Sequence, residues 1–82
     1  MDSEGIMARL NEVFREAFMD DSVGVTPETT AADIPGWDSM MHVTLVVAIE
    51  EAFGVHFTSR EVGAFRNVGD VAALLSEKLA SS

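Results

Sequence analysis

The segment IPGWDSMMHVTLVVAIEEAFG, Ile34 to Gly54, decides how this chain is read. A Pro-Gly turn runs into Trp37-Asp38-Ser39, and from Ser39 to Phe53 the residues follow a helical period. Leu45, Val46, Ile49 and Phe53 fall on one face at helical spacing. Gly54 stands where a left-handed C-terminal cap is expected. Met40, Val43 and Val47, at i, i+3 and i+7, make a second apolar face. Two such faces cannot enter one core in a chain of 82 residues, so one of them is expected to be partly exposed.

Upstream, Ile6, Leu10, Val13, Phe14 and Ala17 form one face of an amphipathic helix over about Ser3 to Phe18, with Glu4, Glu12 and Glu16 on other faces. Asp2 or Ser3 can cap its start. Between Met19 and Asp38 the periodicity stops, and Asp, Ser, Thr, Gly and Pro dominate. A connection of about twenty residues is long for so small a domain and is often functional. Val23, Val25, Ile34 and Trp37 are expected to pin it to the core.

Downstream, Val55-His56-Phe57 reads as a short extended connector. Thr58 or Ser59 can start a short helix, with Glu61 as capping-box partner of Thr58, and Gly63 and Phe65 near its end. Asn67 is a good N-cap for a last helix over about Val68 to Ala80, whose apolar stripe is Val68, Val71, Ala72, Leu74, Leu75 and Leu79. No segment alternates with period two for long enough to form a sheet. The expected fold is all-α: one domain over residues 1–82, a four-helix bundle of three longer helices and one short one, with a long loop between the first and second.

Composition narrows the function classes. Fourteen Asp and Glu face five Lys and Arg, a formal charge of −9, and the basic residues are scattered singly. Binding to nucleic acid or to an anionic membrane needs a basic patch, so neither is expected. A protein partner with a basic patch is favoured instead. There is no cysteine, which excludes disulfides, and two histidines without cysteine make no conventional zinc set, so no metal is expected. The longest apolar run, Leu45 to Ile49, is far too short for a membrane span, and the acidic N-terminus is not a secretory leader. A cytoplasmic location is the expectation.

The junction into the second helix is the place for chemistry. Ser39 lies where unpaired amides and the positive end of the helix dipole converge, which favours a phosphate. A hydroxyl there, beside Asp38 and on an accessible edge, suits covalent phosphate attachment. Asp-Ser is also an ordinary helix cap, and the dipeptide alone says little. A Ser39-His42-Asp38 triad is a poor reading, because the glycines of a hydrolase elbow are missing on both sides. No catalytic residue is expected, and His42 reads as an exposed helix residue.

Ile34-Pro35-Gly36-Trp37-Asp38-Ser39-Met40 resembles the phosphopantetheine attachment motif of acyl carrier proteins, built on Asp-Ser-Leu, with Met40 in place of the leucine. Val46 to Val55 resembles the second half of the carrier's recognition helix, and Asn67 to Val71 the start of its final helix. The likeness spans roughly Ile6 to Leu79. It implies that a phosphopantetheinyl transferase moves 4'-phosphopantetheine from coenzyme A to Ser39, flanked by Trp37, Asp38 and Met40. The arm's thiol then holds cargo as a thioester for acyl-loading and acyl-accepting enzymes. Family carriers often place acids early in the recognition helix, where this chain has Met41, His42, Val43 and Thr44, and only Glu50 and Glu51 keep that character. Partner docking is therefore assigned to Met40, Met41, Val43 and Val47 with Glu50 and Glu51, on partners with basic or apolar patches. Trp37 is expected to pack the loop onto the bundle; its functional reading is to shelter the arm or to meet a partner. The expected protein is a monomeric carrier of polyketide or related secondary metabolism. A peptidyl carrier with the same arm and an unmodified helical adaptor are the alternatives.

Overall fold

The computed structural model describes residues 3–81, with side chains from Glu4 to Ala80. The expected cap at Asp2 or Ser3 lies outside the described side chains. Helix α1 spans Ser3–Phe18, α2 Ser39–Phe53, α3 Ser59–Ala64 and α4 Val68–Ser81, and no strand occurs among the described residues. The three long helices converge on one core: Ile6, Leu10, Val13 and Phe14 from α1, Leu45 and Ile49 from α2, Val68, Val71 and Leu75 from α4. Val25 and Phe57 reach it from the connections. Helix α1 packs against both α2 and α4. Among the described residues, no helix is long and apolar enough to cross a membrane.

The helix ends follow the local signals. Asp38 caps α2, its carboxylate accepting the Met41 N–H at 2.9 Å, and Gly54 closes the helix in the left-handed region, φ 67°. Thr58 and Glu61 form a reciprocal capping box at α3. Helix α3 has no fully buried residue. It is held by Phe65 edge-on to Phe57 (5.4 Å) and by the Lys78–Glu61 ion pair (3.1 Å). The Thr58 backbone N–H and the Lys78 ammonium together hold the Glu61 carboxyl below the usual carboxylate range.

The connection from residue 19 to 38 is ordered by side chains of α1 that the helical pattern did not single out. Asn11 pairs with Val25 as a neighbouring strand would. Its Oδ1 accepts the Val25 N–H at 2.8 Å, and its Nδ2 donates to the Val25 carbonyl at 3.2 Å and to the Met7 carbonyl at 2.9 Å. Arg15 Nε donates to the Val23 carbonyl at 2.9 Å. The connection also holds one 3-10 turn, Ala31–Asp33, which the sequence reading took as loop; the Asp33 carboxylate accepts the Thr30 N–H at 2.9 Å.

The connection finally docks on α4. The Val68 N–H donates to the Thr29 carbonyl (2.9 Å) and the Gly69 N–H to the Pro27 carbonyl (2.8 Å). A Cβ on residue 69 would stand 2.8 Å from the Pro27 oxygen, so only glycine permits this approach.

Candidate functional site

The site is the turn from residue 34 to 38 and the first turn of α2. Gly36 takes φ 89°, a backbone state that side chains with a Cβ rarely adopt, and this turns Trp37 inward. Trp37 is half-buried, edge-on to the buried Phe14 ring with centroids 5.3 Å apart. Phe14 in turn stacks on Phe18 at 6.2 Å. Trp37 thus does pack the loop onto the bundle. It also fixes the start of α2 against α1, so that Asp38 and Ser39 are presented outward; both are exposed.

Asp38 takes the N-cap position, which leaves Ser39 as the first helical residue with its side chain free. Among the described residues its hydroxyl has no hydrogen-bond partner, and neither do the amides of Ser39 and Met40. The junction is therefore an exposed hydroxyl beside two open N–H groups at the positive end of a helix.

A surface hollow of about 400 Å³ adjoins it, bordered by Ala31, Trp37, Asp38, Ser39 and His42. An accessible hydroxyl, open donors and an adjoining hollow fit a phosphate ester on Ser39 with a chain leading away from it. The Asp38 carboxylate is committed to the Met41 N–H, and His42 Nδ1 accepts the Trp37 indole N–H at 3.2 Å. The three residues are not wired as Ser-His-Asp. His42 is half-buried against Trp37, with ring planes 20° apart, and is not the exposed residue expected. The sequence signal for this contact was the i+5 spacing of an indole donor and an imidazole across a helix start.

The second apolar face of α2 is exposed, as one face had to be: Met40 is 82% exposed, Val43 61% and Val47 46%. Met41 and Glu50 differ from these. Met41 packs against the core. Glu50 folds back over the α2–α3 connection, its Oε2 accepting the Phe57 N–H at 2.7 Å and lying 3.1 Å from His56 Nδ1. Glu51 is exposed. The sequence reading missed a cleft of about 380 Å³ between α2 and α3, lined by Val43, Val46, Val47, Phe57 and Val62. Its walls come from two helices and a connector, so no single stretch of periodicity announces it.

Comparison with known proteins agrees with this geometry. Residues 8–75 match the family described as "Phosphopantetheine attachment site". The acyl carrier protein MbtL of Mycobacterium sp. (strain MCS) is 35% identical over 80 residues, covering 98% of this chain and 90% of that one. A stretch amounting to 1% of the polyketide synthase ThaG of Burkholderia thailandensis is 34% identical over 77 residues. The solution structure of a holo acyl carrier protein from Geobacter metallireducens superposes with a TM-score of 0.85 at 41% identity, covering 92% of this chain and 86% of the other. With the family matched over most of its length and the fold shared with a solved carrier, this chain belongs to the phosphopantetheine-attachment family and is an acyl carrier protein.

Proposed function

We propose that Ser39 is the residue that receives 4'-phosphopantetheine, and that the chain serves as a carrier in polyketide or related secondary metabolism. The observation that carries the site assignment is the exposed, unpartnered Ser39 hydroxyl at the open start of α2, within Asp38-Ser39-Met40. Ser39 Oγ forms the phosphodiester and gives up its proton, and the nucleotide half of coenzyme A departs. The arm supplies the thiol that this cysteine-free chain lacks, and cargo rides on it as a thioester. The resemblance to MbtL and to a stretch of ThaG supports secondary metabolism.

The chain acts without catalysis of its own, because Asp38 and His42 are engaged in the cap and with Trp37. It works as a monomer in the cytoplasm, where coenzyme A and the transferase meet it. Docking runs through Met40, Val43 and Val47, whose exposure supports an apolar rather than a purely electrostatic surface, with Glu51 as the flanking acid. Met41 and Glu50 contribute less, since one is packed and the other holds the α2–α3 connection. The cleft between α2 and α3 shelters an apolar cargo.

Incubation with coenzyme A and a broad-range phosphopantetheinyl transferase tests the assignment. The wild type gains the mass of one arm and Ser39→Ala gains none. A gain that persists in Ser39→Ala overturns the site, and no gain in either protein leaves the helical-adaptor reading in its place.

A further inference from the structure

We propose that His42 is a positioning residue for the arm: Trp37 fixes its tautomer, and its Nε2–H donates to a phosphodiester oxygen on Ser39. The inference rests on the assignment of Ser39 as the attachment residue. An indole N–H can only donate, so the nitrogen that Trp37 Nε1 meets at 3.2 Å, His42 Nδ1, must present a lone pair. In the neutral imidazole the proton is then on Nε2. The pair is held rigidly, because Trp37 is clamped edge-on against the buried Phe14.

His42 is three residues past Ser39, on the same face of α2, and both border one hollow. A phosphodiester there is an anion that only accepts hydrogen bonds. Of the side chains around the hollow, Ala31 has nothing to donate and Asp38 is a carboxylate turned to the Met41 N–H. The Trp37 N–H is spent on His42, and Ser39 gives up its hydroxyl on esterification. His42 Nε2–H is the one side-chain donor the hollow retains, and no partner engages it among the described residues. Two open amides at the helix start and one imidazole donor would grip the phosphate from two sides. On a chain of charge −9 with Asp38 adjacent, such a donor offsets repulsion of the added anion.

The test uses holo protein shown by intact mass to carry one arm, with ¹⁵N-labelled histidine. In the wild type His42 shows the single Nε2–H tautomer, and Trp37→Phe, which keeps a ring but removes the donor, gives a mixture. The ³¹P resonance of the phosphodiester is displaced in His42→Leu relative to wild type. His42→Gln, which restores an N–H donor, moves it back toward the wild-type position. Three arm-bearing proteins with the same ³¹P resonance, or a tautomer indifferent to Trp37→Phe, would overturn the proposal. Failure of the underlying assignment has a different signature: the arm does not attach, or attaches equally to Ser39→Ala.

Discussion

Two loop-to-helix junctions in this molecule start from the same local signal and end in opposite states. At α4, Asn67 caps the Asp70 N–H at 2.9 Å, and the next amides, of Val68 and Gly69, are taken by the Thr29 and Pro27 carbonyls of the long connection. Val68 is fully buried. At α2, Asp38 caps the Met41 N–H at the same distance, but the amides of Ser39 and Met40 meet no protein partner among the described residues, and both side chains are exposed. A helix start has orphan donors that something must satisfy. In α4 the chain's own loop satisfies them and gains tertiary structure. In α2 they are left to solvent or to a ligand, which is where we propose that the arm is attached. A polar cap therefore marks a helix start without telling which kind of start it is; the tertiary partner decides.

The sealed junction is where the largest stability effect is expected. Gly69→Ala gains helix propensity of up to about 1 kcal/mol, but its methyl meets a backbone oxygen that cannot swing aside. Overpacking and the weakened Gly69–Pro27 bond should outweigh the gain, with a net loss of about 1–3 kcal/mol. At about 4–8 °C per kcal/mol for a domain of this size, thermal melting would show it readily. An unchanged melting temperature would mean that the loop is not seated on α4 as described.

The caps come next. Asn67→Ala and Asp38→Ala each remove one side-chain acceptor, which costs about 0.5–2 kcal/mol. Asn67→Ala should lie at the upper end, because its junction is partly buried and water cannot fully replace the lost bond. Asp38→Ala should lie at the lower end, since its junction is exposed. Chemical denaturation of the two variants side by side sharpens the contrast, and the reverse ordering would break it.

The smallest effect on stability belongs to the outward face of α2. Val47→Asp places a carboxylate at a position already 46% exposed, so stability should change by no more than about 0.5 kcal/mol. Transfer to a partner enzyme should fall. A large drop in melting temperature would return Val47 to the core and remove it from the docking surface.

The contrast also explains what could be read from the chain beforehand. The bounds of α1 and α2, the Gly54 cap and the Thr58–Glu61 box are local: each rests on residues within a turn or two of one another, and periodicity or capping chemistry exposes them. The seating of the connection is not local. Asn11 meets Val25 across fourteen positions, and Arg15 meets Val23 across eight. Each carries a polar side chain on a helix that reads equally well as solvated surface. No local pattern singles out Gly69 in the first turn of α4, because its constraint comes from a carbonyl forty-two positions earlier in the chain, on Pro27. At the candidate site, the cap and the exposed start of α2 at Asp38-Ser39 were legible because the junction is contiguous in sequence. The engagement of His42 by Trp37 was less so: their i+5 spacing is a local signal, but the contact depends on Phe14 holding the indole from another helix.

Amide hydrogen exchange at the two helix starts tests the central claim most directly. In the unmodified protein the amides of Ser39 and Met40 should exchange close to the rate of unstructured chain, while those of Val68 and Gly69 should be protected to a degree approaching global unfolding. Equal protection at the two junctions would contradict the account, since α2 would then be sealed like α4 and would offer no open end for the arm.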